Sequence, residues 1–346
     1  MLKRLLTGVA IGAFAITAWQ AQAGAWQAAP APAAPAAAAQ EDAAPTEKEM
    51  ADSPEAQKHI AAAMKLAKSD LVEEAKIMCT ASGPRRPAVI RQLAGLPAEP
   101  QAVIEPTKLF DNLYYFGFNT VGGWAVPTSD GIIIIDALNS AADAENVIVP
   151  SLQKVGLDPA QIKYVIVQHG HFDHFGGAQY LQDKYKARIL MAAEDWALVE
   201  RMSERQRRNR PLPRRDMDVK HGQKLTLGDT TVTMALTPGH TPGSIAIFFP
   251  VKDRGKQHTA MLLSLTAPDR ESLAALKRAV NDFAKPQKAV MRLNSHLSVE
   301  NTKDLETIRR NPGGPNPYLY GEEQFDRYMD IMTECAEARV AAREHR

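Results

Sequence analysis

Three histidines and one aspartate fall within the six residues His169-Gly-His171-Phe-Asp173-His174, directly after the apolar run Tyr164 to Val167. The whole chain has nine histidines in 346 residues, so three in six marks a site rather than scatter. A strand ending in this loop would present neutral imidazole nitrogens and a carboxylate from a few neighbouring positions. That donor set suits borderline-soft divalent metals, zinc above all. Two more histidines follow segments that read as strands: His240 in Thr-Pro-Gly-His-Thr-Pro-Gly-Ser and His296 in Leu-Asn-Ser-His. Singly they carry little information, because isolated histidines more often serve as hydrogen-bonded core or surface residues. With His169, His171, Asp173 and His174 they make six ligands, enough for two metal ions. His59, His221, His258 and His345 have no such context and read as surface residues.

These ligands need rigid elements to carry them. The β-branched run Ile132 to Ile135 ends in Asp136; Ala141 to Val155 reads as a helical crossover, and Lys163 to Val167 as the strand that leads into the histidine loop. A helix from Gly177 to Tyr185 and a strand from Arg188 to Ala192 follow. Alternation of this kind, repeated after His240, predicts an α/β fold in which two mixed sheets form a sandwich flanked by helices, with the metals at one end. The roughly 250 residues involved suit a single core.

The pattern His169-x-His171-x-Asp173-His174, then His240 after Pro-Gly, then His296, resembles the metallo-β-lactamase superfamily from about Lys108 onward. The resemblance implies a four-layer αββα sandwich. It also implies two zinc ions per chain, one held by His169, His171 and His240 and the other by Asp173, His174 and His296. Asp136 corresponds to the aspartate that supports the metal loop from a neighbouring strand. The strand read over Ala260 to Pro268 offers Ser264 and Thr266 but no carboxylate or thiolate. In this it is similar to the third subclass of class B metallo-β-lactamases, which uses a serine there and a histidine beside the aspartate, here His174. The resemblance gives Asp173 the role of orienting the nucleophile, and Ser264 and Thr266 that of hydrogen-bonding a substrate carboxylate or a metal-held water. Loops around Phe172 and Trp196 are expected to shape the substrate range.

Lys3 and Arg4 precede the apolar stretch Leu5 to Ala18, and Ala21-Gln22-Ala23 offers small residues for cleavage, so residues 1–23 read as a secretory signal peptide and the protein as periplasmic or secreted. Residues 24–52 read as a disordered linker rich in alanine and proline, 53–107 as a helical extension, and 108–346 as the catalytic domain. Ser53-Pro54 supplies a cap and a first-turn proline, and Ile60, Met64, Ala67 and Leu71 recur at helical spacing, predicting one helix to about Met78. Cys79 and Cys335 are the only cysteines, and in an oxidising compartment they would pin the extension to the C-terminal helix as a disulfide; two separate buried thiols are the alternative.

Lysine plus arginine number 41 and aspartate plus glutamate 40, which gives no electrostatic pull toward nucleic acid or anionic membrane. After signal cleavage no later stretch approaches the roughly 18 apolar residues that a membrane-spanning helix needs. The seven arginines between Arg201 and Arg215 read either as a solvated face or as a lid that attracts a substrate carboxylate. The expected partner is a small molecule. The leading expectation is a β-lactamase that opens the lactam ring with a zinc-bound hydroxide. A related hydrolase of lactones, thioesters or other esters, and a non-catalytic zinc-binding protein, are the two alternatives.

Overall fold

The computed structural model describes residues 44–345, apart from 85–90, 93, 98–99, 209, 265–266, 268 and 298. The signal-peptide reading of residues 1–23 and most of the linker therefore lie outside the described residues, and so does Thr266.

The β-branched and aromatic runs of the central region pair into two sheets. The first has seven strands in sequence order, β1 (Val103–Phe110), β2 (Leu113–Phe118), β3 (Gly122–Thr128), β4 (Gly131–Ile135), β5 (Ile162–Ile166), β6 (Arg188–Ala192) and β7 (Met217–Val219). Pairing is antiparallel from β1 to β4 and parallel from β4 to β7. The second sheet runs β12-β11-β10-β9-β8, with β8 (Gln223–Leu227), β9 (Thr230–Leu236), β10 (Ile245–Asp253), β11 (Lys256–Leu262) and β12 (Ala289–Leu293).

Alternation along β4 shows how the layers form. Ile133 and Ile135 face the second sheet, in one core with Trp124 and Ile166 of their own sheet and Val232, Ile245, Ile247 and Leu262 of the other. Ile132 and Ile134 face outward against the helical layer, among Ala144, Ile148, Leu152, Phe175 and Leu181. A strand buried on both faces has to be apolar throughout, and the Gly-Ile-Ile-Ile-Ile run is. The outer layer here is the crossover after β4, α4 (Ala141–Asp143), a π-helical stretch Ala144–Ile148 and α5 (Val149–Lys154), together with α7 (Ala178–Tyr185). The other sheet buries Ala235, Ala246, Phe248 and Met261 against helices on its own outer face. The expected sandwich of two mixed sheets between helices is what the chain forms.

That second helical layer includes the extension. Helix α1 (Glu47–Asp52) begins within the stretch read as linker, because Thr46 and Glu49 form a reciprocal capping box that starts a helix there. The single helix expected to reach Met78 is two, α2 (Pro54–Ala67) and α3 (Val72–Met78), separated where Lys68 takes a left-handed φ of 50°. The break turns Asp70 toward Arg327, whose guanidinium lies 2.6 Å from its carboxylate and holds its pKa down to about 2. Small residues Ala63, Ala67, Ala75 and Ala336 let the extension lie close to the C-terminal helix α11 (Glu322–Glu344), and Cys79 and Cys335 join the two as a disulfide. Across its 256-residue separation this bond stabilises the fold by about 3–5 kcal/mol. Among the described residues no helix is long and apolar enough to cross a membrane.

Candidate metal centre

Strand β5 ends at Ile166, and the chain then runs through the histidine loop into a single turn, α6 (Phe172–Phe175). The loop from Thr237 to Ser244 joins β9 to β10 and carries His240; His296 follows β12. All three loops meet at one end of the sandwich. Suitable ligand atoms of His169, His171 and His240 lie within 4.8 Å of one another, and so do those of Asp173, His174 and His296. The first three rings stand edge to face, with centroids 4.8, 4.5 and 4.7 Å apart. The rings of His169 and His174 are 3.8 Å apart, so the two triads adjoin. The structure thus brings together all six residues expected to bind metal.

Chemistry fits these triads to a cation. His169 is fully buried, and among the described residues neither of its ring nitrogens has a hydrogen-bond partner. Burial, followed by the neighbouring imidazoles of His174, His240, His171 and His296, pushes its pKa well below the usual histidine value, which keeps it in the neutral, ligating form. In the second triad, His174 Nδ1 lies 2.8 Å from Asp136 Oδ2 and His296 Nδ1 lies 2.8 Å from the Thr120 carbonyl oxygen. A carboxylate and a carbonyl can only accept, so each Nδ1 carries the proton and donates. The Nε2 atoms, left with lone pairs in the neutral rings, face each other at 3.2 Å, and Asp173 Oδ2 lies 3.5 Å from His296 Nε2. Lone pairs and a carboxylate that converge in this way match a divalent metal with imidazole and oxygen ligands.

Two buried aspartates hold the arrangement. Asp136, at a left-handed φ of 63° just past β4, accepts from the Gln168 amide (2.8 Å), His174 Nδ1 and the Ser295 hydroxyl (2.5 Å). It therefore fixes the residue before His169, one ligand directly, and the residue before His296. Asp195 opens the helix α8 (Ala193–Arg201) and was not singled out from the sequence. Its carboxylate accepts from the Gly170 amide (2.6 Å), the Thr241 hydroxyl (2.6 Å) and the Gly243 amide (2.8 Å). One side chain thus ties the loop of His169 and His171 to the loop of His240. Burial pushes its pKa up, against the pull of those three donors. Glycine is needed at 243, where a Cβ would sit 2.7 Å from the Asp195 nitrogen, and the fit is tight at Gly170, where a Cβ would sit 3.2 Å from the Asp195 side chain.

Ser264 lies two residues beyond the end of β11, not within the strand as expected, and donates to Gln168 Oε1 at 2.7 Å. It thereby braces the residue behind His169. Trp196, expected beside the substrate, is instead buried in the core, with its indole N–H on the Met217 carbonyl at 3.3 Å. Phe172 is partly buried beside the metal residues, and the guanidinium carbons of Arg208 and Arg210 stand 4.4 and 4.7 Å from its ring centre.

Residues 123–254 match the family model of the metallo-beta-lactamase superfamily. Among curated proteins the chain is 29% identical over 126 residues to a hydroxyacylglutathione hydrolase of Acidiphilium cryptum, covering 36% of this chain and 43% of that protein. It is 27% identical over 156 residues to an acyl-coenzyme A thioesterase of Gallus gallus, covering 39% and 55%. The matches therefore span about half the length of these relatives. Among solved structures, the subclass B3 metallo-beta-lactamase BJP-1 of Bradyrhizobium japonicum superposes with a TM-score of 0.54 at 26% identity, over 66% of this chain and 91% of that one. The FEZ-1 metallo-beta-lactamase of Legionella gormanii gives a TM-score of 0.58 at 20% identity, over 71% and 98%. Residues 123–254 thus match the metallo-beta-lactamase superfamily, and the fold is similar to that of the subclass B3 enzyme BJP-1.

Proposed function

We propose that the protein is a secreted or periplasmic zinc hydrolase that opens β-lactam rings, with His169, His171 and His240 holding one zinc and Asp173, His174 and His296 the other. The observation that carries this reading is the convergence of the two adjoining triads, with His174 Nε2 and His296 Nε2 3.2 Å apart and both Nδ1 protons committed elsewhere. Bound zinc supplies Lewis-acid polarisation of a carbonyl and lowers the pKa of water toward ~7. The chain's own residues supply position: Asp136 and the Thr120 carbonyl orient the two second-triad imidazoles, and Asp195 sets the spacing of the loops that bear the first triad; to Asp173 this reading assigns the orienting of a water and the receipt of its proton. Ser264 acts through Gln168. No serine or cysteine nucleophile is required.

The likeness to the subclass B3 enzyme, and a donor set in which His174 stands beside Asp173 with no carboxylate at position 264, favour the lactam. The disulfide and the N-terminal signal pattern favour an oxidising compartment. The curated relatives named hydroxyacylglutathione hydrolase and acyl-coenzyme A thioesterase support a second reading, a thioester substrate cleaved by the same residues. Steady-state hydrolysis of a chromogenic cephalosporin and of an acyl-glutathione thioester, with zinc added and with a chelator, tests both. Chelator-sensitive turnover of the cephalosporin supports the lactamase; turnover of the thioester alone moves the assignment to the second reading; turnover of neither rejects both.

A further inference from the structure

The arginine segment is built against the metal loop. Gln182 holds it at one end by two hydrogen bonds with the backbone of Arg214, at 2.9 and 2.8 Å. Arg207 donates to the Met202 and Arg210 carbonyls, and Arg210 Nε donates to the Asn139 carbonyl in the loop after Asp136. These bonds lay the segment across Phe172, the residue between His171 and Asp173. Arg188, Arg214 and Arg215 are spent on Asp216, Asp183 and Asp218. Arg208 differs. It is exposed, takes a left-handed φ of 53°, stands over the Phe172 ring, and among the described residues its guanidinium has no hydrogen bond or carboxylate partner. A cation over a ring face uses none of its N–H donors, so the five donors of Arg208 remain for a ligand. Arg210, close behind on the same ring and partly buried, adds a second positive charge, and burial and the charge of Arg208 push its pKa below the usual arginine value. Two cations held together at the edge of a site raise the local concentration of anions there.

We propose that Arg208, seated on Phe172 with Arg210 behind it, binds a carboxylate of the substrate, so that the protein selects anionic acyl compounds over neutral ones. This deepens the hydrolase reading and rests on it. Guanidinium and carboxylate meet as a fork, and a substrate anchored there would be oriented with its acyl group toward the triads.

The test uses the zinc-loaded protein, a cephalosporin with a free carboxylate, and its methyl ester. In Arg208→Ala the kcat/KM preference for the acid over the ester falls about tenfold, chiefly through KM, as expected for loss of one charge-assisted anchor. Arg208→Lys restores part of it, and the preference of the original protein weakens with added salt. Arg205→Ala, at an exposed arginine of the same segment that is not among the described cations over Phe172, keeps the original preference. Equilibrium binding of an N-acyl amino acid and its methyl ester, neither of which carries a lactam ring, is measured alongside, since it reads the carboxylate without turnover. Binding that depends on Arg208 in a protein that hydrolyses no lactam would uphold the inference and reject the lactamase. An unchanged acid-to-ester ratio in Arg208→Ala, or equal binding of acid and ester by the original protein, would overturn the inference while leaving any measured hydrolysis intact.

Discussion

Asp136 and Asp195 are both fully buried carboxylates with three donors each, yet they hold their triads by different means. Asp136 grips a ligand, the His174 imidazole, and reaches the other metal loops through Gln168 and Ser295. None of the three donors to Asp195 is a side chain of the triads. Asp195 takes the amides of Gly170 and Gly243 and the hydroxyl of Thr241, and so fixes the backbone on either side of the first triad. The first device tunes the orientation and basicity of a single imidazole. The second sets the distance between two loops, which a substitution can relax without stripping any ligand. Loss of Asp136 should therefore act on the second metal, and loss of Asp195 on the first.

Removing the ligands themselves gives the largest effects and checks the division into triads. His240→Ala should release the first metal and lower hydrolysis at least about a thousandfold, since an open coordination position is lost with its ion. His296→Ala should release the second and keep the first, so metal counts by mass spectrometry of the native protein should find one ion left in each variant. Equal loss of both ions in each variant would dissolve the distinction. Next in size, Asp136→Ala should weaken binding of the second metal about 10–100-fold, because an oriented imidazole loses its partner. Asp195→Ala leaves the Gly170 and Gly243 amides buried and unpaired, at roughly 1–3 kcal/mol each. It should lower the thermal midpoint and weaken the first metal about tenfold, while second-site affinity stays as it was. A loss at the second site in Asp195→Ala would show that the aspartates are not separate devices. Smallest of all, Ser264→Ala frees only the Gln168 side chain and should change kcat within about threefold with both metals retained; loss of metal there would give position 264 a larger part than its bond to Gln168 implies.

The same contrast explains what could be read from the sequence. Four of the six candidate metal residues lie in one hexapeptide, and Asp136 ends an unbroken β-branched run, so local pattern marks them. The layers were legible for a similar reason: Ile132 to Ile135 must be buried on both faces, and the histidine loop must leave a strand end. Asp195 was not legible, because its partners are two glycine amides and a threonine 25 to 48 positions away, and an aspartate opening a helix has an ordinary local explanation. The contact of Arg208 with Phe172 was hidden for the same cause: the arginines are plain in the sequence, but the ring they meet is set by folding. The helix break at Lys68 goes with a tertiary partner, the Asp70 to Arg327 pair, which helical periodicity does not encode, whereas the early start of α1 at Glu47 is encoded locally by the Thr46 and Glu49 capping box.

The central claim, that the triads are two adjoining metal sites, is most directly tested by a crystal structure of the zinc-loaded protein with anomalous diffraction at the zinc edge. The account predicts two zinc ions per chain, one about 2.0–2.1 Å from a nitrogen of each of His169, His171 and His240, the other similarly bound by Asp173, His174 and His296. A single ion, or zinc held by residues outside these six, would contradict it.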